Sequence, residues 1–228
     1  MDWTTQTTDP TDNEMLKQML EYLQSIRRTV NSGYMDWLLL EVTDKSCLDI
    51  GAIEHDLSFT EKPTWKHKLV SDASSHTVGI DILEDYVEAV RQRGYDIRFC
   101  DATSDESIGE TFDVVIIGDV IEHVNNPVKL IGFALRHLNH DGMIIAKTPN
   151  PFFYDSIKKY TKNKAFINAD HMAWFSPSMA LEIARKAGCS LDSYLIFPEP
   201  GKPVLKRLLR NPDLFSRDFV FVFKHKES

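Results

Sequence analysis

Two short apolar runs in this chain each close on an acidic side chain, Cys47-Leu48-Asp49-Ile50-Gly51 and Val78-Gly79-Ile80-Asp81. Unbroken apolar runs of this length suit strands buried on both faces of a parallel sheet. Open parallel sheets bind their ligands beyond the carboxyl ends of the strands. Two such strand ends in one crevice can grip an adenosine-containing molecule, which makes the chain an enzyme candidate.

The rest of the sequence fits around that sheet. Strands are predicted over 47–50, 77–81, 96–100, 112–118 and 142–148, with helical stretches between them: one from Pro63 at a first turn, one over 83–93 ended by Gly94, and one from about Asn126-Pro127 to 138. Regular alternation of strand and helix implies a parallel sheet with right-handed crossovers. After Pro149-Asn150-Pro151 the rhythm changes to a helix over 152–160, a polar segment, and a helix from Ser176-Pro177 to about Gly188. Strands over 191–197 and 218–223 follow, separated by a Pro/Gly-rich 198–203 and a basic amphipathic piece over 205–210. Ahead of everything, Met15, Leu16, Met19, Leu20, Leu23 and Ile26 recur at helical spacing, and a second helix is expected over 34–42. A length of 228 residues suits one α/β domain. The expectation is a single domain over 1–228 with a helical extension (1–45), a ligand-binding half (46–150) and a substrate-side segment (151–228).

Charge and composition narrow the partners. A formal charge of −8 argues against a sequence-independent grip on phosphate backbones, so no nucleic-acid partner is expected. No run approaches the ~18 apolar residues of a membrane span, and the first residues carry no charged-then-apolar signal pattern, so a cytoplasmic location is expected. Cys47, Cys100 and Cys189 lie in or beside predicted strands and none has a Cys-x-x-Cys partner, which points to reduced core thiols.

A dinucleotide site needs a Gly-x-Gly-x-x-Gly turn, so that backbone can approach a pyrophosphate at a helix N-terminus. Here the turn reads Gly51-Ala52-Ile53-Glu54-His55-Asp56, with acidic groups where phosphate charge would lie. That opposes a nicotinamide-dependent oxidoreductase and suits a cationic, phosphate-free ligand such as S-adenosyl-L-methionine. With Cys100-Asp101-Ala102, Gly118-Asp119-Val120-Ile121-Glu122-His123-Val124 and Thr148-Pro149-Asn150-Pro151 added, residues 46–190 resemble the class I S-adenosylmethionine-dependent methyltransferases. The last segment resembles the branch acting on ubiquinone precursors, sugars and surface glycans.

The resemblance implies a Rossmann-like α/β fold: a mostly parallel seven-stranded sheet with helices on both faces and an antiparallel last strand. It also implies roles for residues. Asp49 and Gly51 would approach the amino-acid part of the cofactor, and Asp81, with Ile82 beside it, would take the ribose hydroxyls. Asp101 and the Ala102 amide would read the adenine, and Asp119 and Val120 would pass the methionine end. The first motif departs from the family in keeping one glycine, and Asp49 and Asp81 stand 32 residues apart against the ~20 of a compact unit. Extra residues must project near the cleft, which makes Glu54, His55 and Trp65 candidates for cofactor contact.

Methyl transfer from a sulfonium is an in-line displacement in which the protein positions the acceptor and excludes water. A hydroxyl acceptor also loses a proton, and histidine is the natural base. His123, after the fourth predicted strand, and His171, in Asp170-His171-Met172-Ala173-Trp174-Phe175, are the candidates, with Trp174 and Phe175 as pocket walls. His55 and His67 read as structural or cofactor-shell residues, and His76, His137, His140 and His225 as surface positions. No ligand spacing supports a metal, so none is expected. Lys202, Lys206, Arg207 and Arg210 form a basic face, by default solvated, that could touch a phosphate-bearing or lipid-linked glycan at a membrane surface. The expected activity is O-methylation of a small molecule or a sugar or glycan precursor; the competing reading is a noncatalytic cofactor-binding domain whose first motif has decayed.

Overall fold

Burial alternates along the strands, and that alternation sets the layers of the fold. In β2 (Ser46–Ile50), Leu48 and Ile50 enter one core cluster and Cys47 another. In β5 (Phe112–Gly118), Val115 and Ile117 go with the first cluster and Val114 and Ile116 with the second. Side chains one apart point to opposite faces of a sheet, so both faces are covered. The first face packs α1 (Asn13–Ile26), α5 (Pro127–Arg136) and α7 (Pro177–Ala187); the second packs α2 (Tyr34–Val42), α3 (Lys66–Ala73) and α4 (Glu84–Arg91). The computed structural model describes residues 1–164, 168–199 and 211–226. The basic piece expected over 205–210, with Lys202, Lys206, Arg207 and Arg210, lies outside the described residues.

The remaining strands are β1 (Arg27–Thr29), β3 (His76–Asp81), β4 (Ile97–Phe99), β6 (Leu138–Pro149), β7 (Cys189–Pro198) and β8 (Ser216–His225). They lie in the order β1-β7-β8-β6-β5-β2-β3-β4, with β8 antiparallel to both neighbours and every other pair parallel. The expected α/β architecture is present with eight strands in place of seven. The additional one, β1, pairs with β7 at the sheet edge, Arg27 opposite Tyr194 and Thr29 opposite Ile196. Its Arg-Arg-Thr composition carries no apolar pattern, because an edge strand of three residues buries almost nothing. The first 45 residues are thus not a purely helical extension.

Local signals fixed most helix ends. Asn126 caps α5 by accepting from the Lys129 amide at 3.0 Å, Ser176 caps α7 by accepting from Met179 at 3.3 Å, and Gly188 closes α7 at φ +80°. Pro63 does not start a helix. It lies in the turn before α3, which begins at Lys66. His137, expected at the surface, is 1% exposed: its Nδ1–H donates to the Phe133 carbonyl at 2.9 Å, so Nε2 accepts the Ile108 amide at 3.2 Å. All three cysteines are free and buried. Among the described residues no helix is long and apolar enough to cross a membrane.

Candidate active site

Strand order reverses at β2, which has β3 on one side and β5 on the other, and the crevice beyond this switch point is where such sheets bind ligands. Gly51 turns the chain there at φ +69°, and a Cβ on it would stand 2.4 Å from Val120 Cγ2. The glycine therefore allows the bend after β2 to lie directly against the loop after β5. Asp81 ends β3 at 6% exposure, its Oδ2 accepting from the Ile53 amide at 2.9 Å and its Oδ1 from Leu83 at 3.1 Å. Burial pushes this carboxyl upward in pKa, against the pull of those amides. A carboxylate has about four acceptor positions, so each oxygen retains one for the hydroxyls of a diol. Ile82, 65% exposed, forms an apolar ledge beside it. Ala102 is buried, while Asp101 is exposed and accepts from the Thr103 amide and hydroxyl, both at 2.7 Å.

Asp49 stands in register with Gly79 and so faces α3 rather than the crevice mouth. It is wholly buried, with Lys66 Nζ 2.6 Å from Oδ1 and His67 Nδ1 3.1 Å from Oδ2. Burial alone would raise its pKa, but Lys66 and His67 outweigh that and hold it below the usual carboxylate range. The charge that the sequence offers to the cofactor is thus already engaged by α3. Gly79 is a glycine because a Cβ would lie 2.8 Å from His67 Cε1. Trp65 is 1% exposed, donates its indole N–H to the Ala52 carbonyl at 2.9 Å and packs edge-on to Tyr95, so it braces the turn from below and has no surface for a cofactor. The insertion between the two acids is therefore largely a support for the turn. Lys66 was not singled out by its sequence context.

Beyond β5, Asp119 adopts φ +56° and is exposed, with both carboxylate oxygens 2.6 Å from Lys147 Nζ. Burial depresses the Lys147 ammonium, but Asp119 and Asp218 more than offset it and its pKa lies above the ordinary lysine value. Buried Ile121 anchors the loop, and Glu122 turns inward at 1% exposure, accepting from the Thr148 hydroxyl at 3.0 Å. Desolvation pushes Glu122 up to about 7. Its main-chain carbonyl accepts the Met172 and Ala173 amides at 2.9 and 3.3 Å, which ties the segment carrying His171 to the loop.

The histidines converge at this tie. The His123 and His171 rings meet edge-on at 4.7 Å, and the His55 ring lies 5.8 Å from that of His123. Asp170 Oδ2 is 3.3 Å from His123 Nδ1 and 3.8 Å from His55 Nδ1. Burial first, then the His123 charge, lowers the pKa of His171. Glu54 is exposed on the same loop as His55. A cavity of about 580 Å³ opens beside His171 and Trp174, lined by Lys158, Lys159, Lys162, Lys164 and Arg217 against the carboxylates of Asp155 and Asp218. Trp174 lines this cavity. Phe175 does not: it is 2% exposed and packs in the core with Ala180 of α7.

The crevice suits an adenosyl sulfonium: a carboxylate with acceptor positions for a diol, an apolar ledge, and a bend that admits backbone only because residue 51 lacks a Cβ. A family model described as a methyltransferase domain matches residues 23–194. A search of curated proteins finds no match. Among solved structures, a SAM-dependent methyltransferase from Archaeoglobus fulgidus aligns at 16% identity over 93% of this chain and 100% of that one, with a TM-score of 0.57. A SAM-dependent methyltransferase from Thermotoga maritima, described as a possible histamine N-methyltransferase, aligns at 14% identity over 93% and 97%, with a TM-score of 0.57. Magnesium protoporphyrin IX methyltransferase from Synechocystis, with bound SAH, aligns at 12% over 96% and 90%, with a TM-score of 0.56. At these identities the structures speak to the fold, and the family model, spanning most of the chain, speaks to kinship. The chain shares its fold with these SAM-dependent methyltransferases and belongs to the methyltransferase-domain family.

Proposed function

We propose that the protein methylates a hydroxyl oxygen of a small, negatively charged acceptor, either a small molecule or a sugar or surface-glycan precursor. His171 or His123 takes up the hydroxyl proton. The observation that carries this reading is the position of His171, at once in the histidine cluster and on the wall of the lysine-lined cavity. The bound donor supplies an electrophilic methyl group on a sulfonium. Asp81 accepts from its ribose hydroxyls, Ile82 and the Ala102 amide border its base with Asp101 beside them, and the bend between Gly51 and Val120 holds its amino-acid end. Asp49 acts on that bend from behind, through Lys66 and His67, and Asp119 steadies the opposite loop through Lys147. Glu54 and His55 close the outer side. An acceptor bearing phosphate or carboxylate enters the cavity against the lysines, and its hydroxyl meets an imidazole whose depressed pKa keeps it neutral and able to accept a proton. A cytoplasmic setting belongs to the same proposal and fits the free thiols.

The test is release of S-adenosylhomocysteine across paired acceptors, hydroxybenzoates and sugar phosphates against their neutral parents. Turnover is expected for anionic hydroxyl acceptors, with kcat falling by about 10²- to 10⁴-fold in His171→Ala or His123→Ala, the usual contribution of a general base. Preference for neutral or amine acceptors, or no release with any of them, contradicts the reading.

A further inference from the structure

We infer that Glu122, His123 and His171 bind one divalent transition-metal ion, with its open coordination positions toward the acceptor cavity. Each of the three offers a ligand atom, and those atoms lie within 4.8 Å of one another. Ligands bound at ~2.0–2.2 Å stand at most ~4.4 Å apart across a metal, so small side-chain rotations close the set. Two imidazoles and one carboxylate are the donor set of catalytic centres that keep positions open, and imidazole suits zinc, iron, copper or nickel better than magnesium.

A second observation is independent of that spacing. Glu122 Oε1 and His171 Nδ1 are buried without a hydrogen-bond partner among the described residues, and Glu122 as a whole is only 1% exposed. Native proteins rarely leave buried polar atoms unsatisfied, and one cation satisfies both. The surrounding contacts have the form of a supporting shell. The Thr148 hydroxyl fixes the other Glu122 oxygen, and Asp170 beside His123 Nδ1 would orient that ring with Nε2 toward an ion. The main-chain bonds from Met172 and Ala173 to Glu122 hold His171 in range. A second trio, His55, His123 and Asp170, also falls within ligand distance, but His55 and Asp170 are exposed and face each other at 3.8 Å. They form the outer wall of the site.

The catalytic consequence rests on the methyl transfer proposed above and gives the two histidines a ligand role in place of the base role. An acceptor hydroxyl at an open position loses its proton to water more readily; its oxygen lone pair then forms the bond to the methyl carbon as the carbon–sulfur bond breaks and sulfur keeps the electron pair.

The experiment is Co²⁺ titration of the full chain after treatment with a chelator, followed by visible absorption, with Zn²⁺ calorimetry alongside. One ion per chain is expected, with d–d bands and without the near-ultraviolet bands of thiolate ligation. Glu122→Gln and His171→Ala should each weaken binding by at least about 100-fold and Asp170→Asn by about 10-fold, since supporting partners contribute 10- to 100-fold. His140→Ala, at an exposed histidine, should leave binding unchanged. Retained S-adenosylhomocysteine binding shows that each variant is folded. Absent stoichiometric binding, equal binding by Glu122→Gln and His171→Ala, thiolate bands, or loss in His140→Ala each overturn the inference. Full methyl transfer by chelator-treated protein also overturns it while leaving the imidazole-base reading intact. A bound ion with no transfer to any acceptor sustains the site and removes the proposed reaction.

Discussion

Replacing Asp49 by Asn separates a supporting role from a ligand-binding one. The carboxylate is wholly buried and meets Lys66 at 2.6 Å and His67 at 3.1 Å. The substitution keeps the shape of the side chain and removes its charge, so a buried ammonium is left facing a neutral amide. Breaking a buried pair by removing one partner costs about 3–5 kcal/mol, because the surviving charge is uncompensated. Lys66 retains 17% exposure, which places the expected cost near the lower figure, ~3 kcal/mol. For a domain of this size about 2–4 °C is lost per kcal/mol, so the ligand-free protein should melt roughly 6–12 °C lower. Asp49→Asn combined with Lys66→Met, which removes both charges, should recover most of the loss. The assay is thermal and urea denaturation of the three proteins without cofactor, with S-adenosylhomocysteine calorimetry on the same samples. An unchanged melting temperature together with a large loss of affinity would refute the reasoning, since it would mean that Asp49 serves the ligand directly.

Other perturbations follow from the same geometry. Glu122 titrates at about 7 in the folded protein against about 4.5 for an ordinary carboxyl, so folding retains a proton that the unfolded chain releases. Its contribution is full below pH 4.5 and lost as pH rises to about 7. Metal-free Glu122→Gln should thus match the parent near pH 4.5 and exceed it by roughly 3 kcal/mol at pH 8, and a difference independent of pH in denaturant titrations rules this out. Gly51→Ala places a Cβ 2.4 Å from Val120 Cγ2 at φ +69°, a conformation that costs L-residues about 1–2 kcal/mol. Affinity for S-adenosylhomocysteine should fall at least ~10-fold, with partial recovery when Val120→Ala is added; undiminished binding would show that the bend does not meet the donor. Lys159→Glu with Lys162→Glu should raise KM for an anionic acceptor about 10-fold, less so at high salt, with kcat retained. An unaltered KM would move the acceptor elsewhere.

The strand that ends in Asp81 was legible because an apolar run closed by an acid is a local pattern that marks a buried strand and its carboxyl end. Other features had signals that carry less far. Phe175 immediately precedes the Ser176 cap, and an apolar residue there packs on the fourth residue of the helix, here Ala180; that rule, rather than aromatic character, explains its burial. His137 follows Phe133 by four residues, on the face that also buries Leu130 and Ala134, so helical spacing placed it inward. The part played by Lys66 and His67 left one trace, Gly79, whose missing Cβ makes room for an imidazole. His123, His171 and His55 were each marked singly, but their convergence with Asp170 left no trace. The members of this cluster come from three loops far apart in the chain, and only the folded sheet brings their rings within 6 Å of their neighbours.

The central claim is that the Asp81 carboxylate holds the donor's ribose. Calorimetric titration of S-adenosylhomocysteine into the parent protein and Asp81→Asn, each shown to be folded, tests it directly. One-to-one binding by the parent and a loss of about 10- to 100-fold in the variant are predicted, since hydrogen bonds to a charged acceptor contribute about 1.5–3 kcal/mol. Equal affinity in the two proteins, or no binding by the parent, would contradict it.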